Sequence, residues 1–152
     1  MKAIQMFEFI KNWVSPTTKT IGFEDVITSI KHNYIIINTL SVIEQTCLIY
    51  GTIPIVREES IVNEMIHKND MNSRILLYGK NANDGSVYDK YKQLTNFGFT
   101  QVYIYTGGLF EWLLLQDIYG TSEFPTTTKC KDMLVYKPPA IFSQIRQITY
   151  NK

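Results

Sequence analysis

The stretch Gly98-Phe99-Thr100-Gln101-Val102-Tyr103-Ile104-Tyr105-Thr106-Gly107-Gly108-Leu109-Phe110-Glu111-Trp112 spells out a helix end, a strand and a helix start in quick succession. Gly98 follows a helical pattern that carries Val87, Tyr91 and Leu94 on one face. A residue without a Cβ at that point closes a helix through the left-handed region. Val102–Tyr105 is β-branched and aromatic without polar alternation, as expected of a strand covered on both faces. Gly107-Gly108 lets the chain turn tightly, and Trp112 follows one helical turn later, where it covers the sheet.

The same alternation repeats upstream. Lys19–Ile21 reads as a short strand, and Phe23, Val26, Ile27 and Ile30 mark one face of a helix. Tyr34–Ile37 is a buried strand, and Val42, Ile43 and Cys47 suggest a helical turn. Gly51–Ile55 is expected as an edge strand, since Pro54 cannot donate to a ladder. Ile61, Val62, Met65 and Ile66 pattern as a helix, and Arg74–Tyr78 as the next strand. The helix opened by Gly107-Gly108 runs to about Tyr119. Strand and helix spacings of this kind predict an α/β domain with a central, mainly parallel, five-stranded sheet flanked by helices.

Outside that domain, Ser15-Pro16 ends an N-terminal helix carrying Met6, Phe9, Ile10 and Trp13. After Gly120 the chain turns Thr-, Pro- and Lys-rich and is expected as an extended arm with one late helix around Ala140–Ile148. The organisation expected is an N-terminal helix over 1–18, a domain over 19–119 and a C-terminal arm over 120–152.

Composition narrows the function classes. With 152 residues, 45% of them hydrophobic, the chain can build the core of one domain. A net charge of +1 supplies no electrostatic footprint for nucleic acid. Two cysteines exclude a disulfide scaffold and fit a reducing compartment, the cytoplasm. Apolar runs such as Trp112–Leu115 fall far short of the ~20 residues that span a bilayer. Glu8, Lys11 and Asn12 break the N-terminal apolar stretch, which argues against a signal peptide and for a helix packed on its own domain or on a partner. His32 and His67 fall at helix C-termini and have no zinc-site spacing, so neither a metal nor a cofactor is expected. The chain is rich in Ile, Lys, Asn and Tyr and poor in Ala and Arg, which points to an AT-rich genome.

The stretch from Gly98 to Trp112 resembles the closing segment of rhodanese-like domains, with Gly98, Phe99, Gly107, Gly108 and Trp112 as its signature. Phe23–Ile37 is similar to that family's opening helix and strand, Gly51-Thr52-Ile53-Pro54 to its Gly-His-Ile-Pro turn, and Tyr78 to the residue that ends its active-site strand. The resemblance covers Lys19 to Tyr119 and implies the sulfurtransferase fold. It also implies a nucleophilic cysteine directly after the strand Tyr, a position that is Gly79 here. Ile37-Asn38-Thr39-Leu40 stands where the family has Asp-Val-Arg, so both of those charges are gone. The active-site loop and the segment from Asn38 to Gly51 are both longer than is usual for the family.

The loop Gly79, Lys80, Asn81, Ala82, Asn83, Asp84, Gly85, Ser86 contains neither Cys nor Arg. Sulfur transfer of the family's kind needs a thiolate stabilised by loop amides, and the phosphatases of the same architecture need that thiolate plus an arginine fork. Lys80 offers one point charge, while Asp84 is expected to cap the following helix and to repel an incoming anion. Amides near Gly79 and Gly85 otherwise suit a small anion. Ser86 reads as a first-turn residue with no base beside it. Cys47 lies among apolar residues and reads as a small hydrophobe, and Cys130 sits between Lys129 and Lys131 without a scaffold.

These observations predict a catalytically inactive rhodanese-like domain that binds a protein partner or itself through the two terminal segments. A likeness to rhodanese-like proteins of large DNA viruses implies a virion-associated or host-directed role. The alternatives are an active sulfurtransferase or phosphatase with a non-standard nucleophile, and an unrelated α/β small-molecule binder. Against the last, the loop lacks the Gly-Lys-Ser/Thr of a P-loop, and no Gly-x-Gly-x-x-Gly occurs.

Overall fold

A computed structural model describes residues 3, 5 and 17–142 of the chain. Residues 1, 2, 4 and 6–16 of the expected N-terminal helix, and residues 143–148 of the expected late helix, lie outside the described residues.

Four short strands, β1 (Thr20–Ile21), β2 (Ile35–Asn38), β3 (Ile75–Tyr78) and β4 (Val102–Tyr105), form one parallel sheet in the order β1-β4-β3-β2. The helices are α1 (Phe23–Lys31), α2 (Ile55–His67), α3 (Ser86–Asn96) and α4 (Gly108–Tyr119), with 3-10 turns at Val42–Glu44 and Met133–Tyr136. The register aligns Asn38, Tyr78, Tyr105 and Ile21 in one row at the carboxyl ends of the strands. In an open α/β sheet that end is where ligands bind.

The sheet has four strands, not the five expected. Gly51–Ile55 contributes one parallel bridge, Ile36 to Thr52, and an Ile53 amide bond to the Ile36 carbonyl at 2.8 Å. The chain then leaves the ladder because Pro54 (φ −59°) is pre-set for a helix start and Ile55 opens α2.

Successive strand residues point to opposite faces, and both faces are covered. Ile36, Leu76, Tyr78 and Tyr105 pack with Val26 of α1 and Leu109, Trp112 and Leu113 of α4. Ile37, Ile75, Leu77 and Ile104 pack with Val62 and Met65 of α2 and Val87 and Leu94 of α3. Helix α3 closes as expected at Gly98 (φ +106°). The amides of Gly98 and Phe99 donate to the carbonyls of Thr95 and Leu94 at 3.0 and 3.2 Å, the paired bonds of a Schellman cap.

The stretch after Gly120 folds back onto the first of these faces. Phe124 packs edge-on against Trp112, with ring centroids 4.9 Å apart, and Phe124 and Tyr136 are both buried. Residues 140–142 are not helical. Among the described residues no helix is long and apolar enough to cross a membrane.

Candidate functional site

The loop Gly79–Ser86 leaves the carboxyl end of β3 and enters α3. It is held from below by α4, whose first amides point at it. Leu109 donates to the Gly79 carbonyl and Phe110 to the Lys80 carbonyl, both at 3.0 Å. Such an approach requires a glycine at 108. Its φ is +67°, and a Cβ there would lie 2.7 Å from the Gly79 carbonyl oxygen and 2.9 Å from the Asn81 nitrogen. Of the expected glycine pair, only Gly108 uses this freedom, since Gly107 has an ordinary φ of −61°.

Asp84 fills the loop. Its Oδ2 accepts from the Lys80 amide at 2.8 Å, and its Oδ1 accepts from the Ser86 amide at 3.0 Å and the Ser86 hydroxyl at 2.6 Å. Burial raises the carboxyl's pKa, but the Lys80 amide and the Ser86 hydroxyl and amide outweigh it and hold the group below the usual aspartate range. The loop amides of Lys80 and Ser86 are therefore bound to the chain's own carboxylate. A Cβ at Gly79 would lie 2.6 Å from Asp84 Oδ2 and 2.9 Å from its Cγ.

Two further loop side chains, Lys80 and Asn81, also have partners within the chain. Lys80 is ion-paired with Glu44, and the two side chains are 29% and 26% exposed. Lys80, then the Ser41 hydroxyl, holds the Glu44 carboxyl below its usual range. Asn81 is buried: its Oδ1 accepts from the Asn83 amide at 2.9 Å and its Nδ2 donates to the Tyr136 carbonyl at 2.9 Å. The Tyr136 hydroxyl donates in turn to the Glu44 carbonyl at 3.2 Å. Lys137 and Pro139 then help to line a cleft of about 470 Å³ over Lys80, Asp84 and Ser86.

Ser86 begins α3, and the fold corrects the expectation that no base stands beside it. Its hydroxyl touches Asp84 Oδ1 at 2.6 Å and Thr39 Oγ1 at 2.8 Å. Tyr78 is structural: its buried hydroxyl accepts from the Ile49 amide at 3.2 Å and bonds Thr52 Oγ1 at 2.8 Å, pinning the turn before α2. His32 bonds the Thr28 carbonyl at the end of α1, and His67 is the last residue of α2.

Two site partners, Glu44 and Tyr136, join the loop from elsewhere in the chain. Glu44 carried a signal, since Ser41-Val42-Ile43-Glu44 has capping-box spacing and Ser41 Oγ does donate to Glu44 Oε2 at 2.8 Å. Tyr136 carried none. Beside the loop, Val42, Ile43 and Val135 are 70%, 88% and 56% exposed, an apolar rim on two adjacent 3-10 turns.

A parallel α/β sheet with helices on both faces, and with the Gly79–Ser86 loop at its carboxyl ends, defines the class of fold. Residues 41–115 match the family model of the rhodanese-like domain, and the chain carries such a domain. The fold is similar to a full-length protein from Lactobacillus plantarum (TM-score 0.55, 16% identity, covering 84% of this chain and 100% of that one). It is also similar to the solution structure of a rhodanese-like domain from Anabaena (TM-score 0.51, 17% identity, 90% and 96% covered). A search of curated proteins gives no match.

Proposed function

We propose that this chain is a catalytically inactive rhodanese-like module that works by binding protein, either a partner or a second copy of itself. The observation that carries this reading is the Asp84 carboxylate, bonded to the Lys80 and Ser86 amides and standing where a side chain at residue 79 would extend. By resemblance, residue 79 is where the family's nucleophile belongs, and the loop has no arginine to hold an oxyanion. The exposed Val42, Ile43 and Val135 rim supplies apolar contact area beside the closed loop. The setting that accompanies this reading is a host cytoplasm or a virion.

A second reading is favoured by one contact, Ser86 Oγ to Asp84 Oδ1 at 2.6 Å, which resembles a nucleophile with its base. A carboxylate held below its usual pKa range by the Lys80 amide and by the Ser86 hydroxyl and amide is a weak base, which opposes activation of Ser86. Thiosulfate:cyanide transfer and aryl-phosphate hydrolysis by the purified full chain separate the two. No turnover above blank is expected. Turnover abolished by Ser86→Ala, Cys47→Ser or Cys130→Ser overturns the proposal. On the binding side, a partner cross-linked in the source organism is expected to be lost with Ile43→Glu combined with Val135→Glu. A purified chain that stays monomeric, with nothing cross-linked in the source organism, counts against it.

A further inference from the structure

The segment before α2 and the segment after α4 run antiparallel. Ile49 bridges Thr126, the Tyr50 amide donates to the Pro125 carbonyl at 3.0 Å, and the Thr127 amide donates to the Leu48 carbonyl at 2.8 Å. Thr128 Oγ1 donates to the Thr46 carbonyl at 2.6 Å, and Cys47 Sγ donates to the Thr128 carbonyl at 3.4 Å. Cys130 follows two residues later. Both thiols belong to one apolar cluster and line one cavity of about 490 Å³. The only two cysteines of the chain, far apart in sequence, thus share one site.

We propose that Cys47 and Cys130 are a reversible intramolecular disulfide site that fastens the segment leading to Tyr136, Lys137 and Pro139 beside the Gly79–Ser86 loop. The two thiols differ in access. Cys47 is 2% exposed, whereas Cys130 is partly exposed and also lines an adjoining groove of about 720 Å³. The oxidant is a low-molecular-weight disulfide such as oxidised glutathione, whose carboxylates suit the neighbouring Lys129 and Lys131. The Cys130 thiolate attacks one sulfur of that disulfide and expels one glutathione thiolate, leaving a mixed disulfide. The Cys47 thiolate then attacks the Cys130 sulfur and expels the second. The protein loses two protons and two electrons, and oxidised glutathione becomes two reduced molecules.

The consequence reaches the loop because the tethered segment carries Tyr136, whose carbonyl and hydroxyl hold Asn81 and the Glu44 carbonyl. As a dithiol, the segment is held by non-covalent contacts alone. As a disulfide, those same contacts are backed by a covalent tie at Cys130.

The test uses the full chain, folded, incubated overnight with millimolar oxidised glutathione at pH 8.5 and compared with a dithiothreitol-treated control. The expected intact mass is lower by two hydrogens, with both free thiols lost and the Cys47 and Cys130 peptides linked in a non-reducing map. The melting temperature is expected to rise by about 5 °C or more, and amide exchange across residues 79–86 to slow. All of this reverses with dithiothreitol and is absent in Cys130→Ser. A chain that gains glutathionyl groups, forms intermolecular dimers or keeps both thiols overturns the site. A linked chain with unchanged exchange across the loop overturns its role as a latch.

Discussion

Asp84 and Gly79 share one space: the carboxylate of the first lies where the side chain of the second would begin, 2.6 Å from oxygen to the position of a Cβ. A cysteine introduced at 79 must therefore displace Asp84 from the amides of Lys80 and Ser86. Gly79→Cys is expected to lower stability by about 2 kcal/mol and to gain no sulfur transfer. Gly79→Cys with Asp84→Ala is expected to lose less than the sum of the single changes, because removal of the carboxylate ends the conflict. Urea unfolding of the four chains measures the coupling, and strict additivity would show that the two residues do not compete.

The same carboxylate predicts a pH dependence. Its folded pKa is depressed, so the stabilisation is fully present above the unfolded value of about 3.9 and is lost as pH falls through the folded value. Asp84→Asn is expected to be less stable than wild type by about 1 kcal/mol at pH 7. The difference stays flat down to about pH 5 and shrinks below pH 4. A gap that closes on raising the pH instead would contradict the assigned hydrogen bonds.

Much of this was legible beforehand, and the reasons are local. Gly98 as a helix closer and the apolar runs at Ile35–Ile37, Ile75–Leu77 and Val102–Tyr105 depend on backbone conformation and two-sided burial, both of which leave marks in a short window. The Asp84 bond to the first amide of α3 was legible for the same reason, although Gly85 and not Asp84 is the cap residue. Gly51–Ile55 misled because its residues suit a strand while Pro54 suits a helix start equally well, and the single bridge from Thr52 to Ile36 reflects both. The pairing of Lys80 with Glu44 and of Asn81 with Tyr136 joins residues far apart in sequence, and no periodicity encodes it.

Two glycines near the loop are expected to behave in opposite ways. Gly108→Ala forces a Cβ against the Gly79 carbonyl and into an unfavourable φ, and is expected to cost about 2 to 4 kcal/mol. Gly85 has φ −75°, and nothing lies within 4 Å of the position of its Cβ. Gly85→Ala is therefore expected to be neutral or to stabilise by about 0.5 kcal/mol through the unfolded chain. Thermal melts of the two variants decide the ordering.

The segment beyond α4 is expected to be needed for folding. Phe124 is 4% exposed and packs against Phe23, Trp112 and Tyr119, and the Trp112 indole donates to the Pro125 carbonyl at 3.1 Å. Phe124→Ala is expected to cost about 3 to 5 kcal/mol. A chain ending at Tyr119 should lose cooperative unfolding, as followed by circular dichroism on heating. A sharp transition near the full chain's melting temperature would mean that residues 120–142 are an ornament on a self-sufficient core.

Cys130 is expected to react late as pH rises. Burial, then the charge of Cys47, pushes its thiol up to about 11, against a free cysteine near 8.5. The charged groups facing it include Lys131 and Lys129, which favour the thiolate, and Asp132, which opposes it. Because only the thiolate is alkylated, the rate of iodoacetamide labelling at Cys130 in the folded chain should rise about tenfold per pH unit from 7 to beyond 9. An ordinary exposed thiol levels off by about pH 9. Peptide-resolved mass spectrometry after timed labelling gives the Cys130 rate at each pH, and a profile that flattens by pH 9 would place the residue in water rather than against the core.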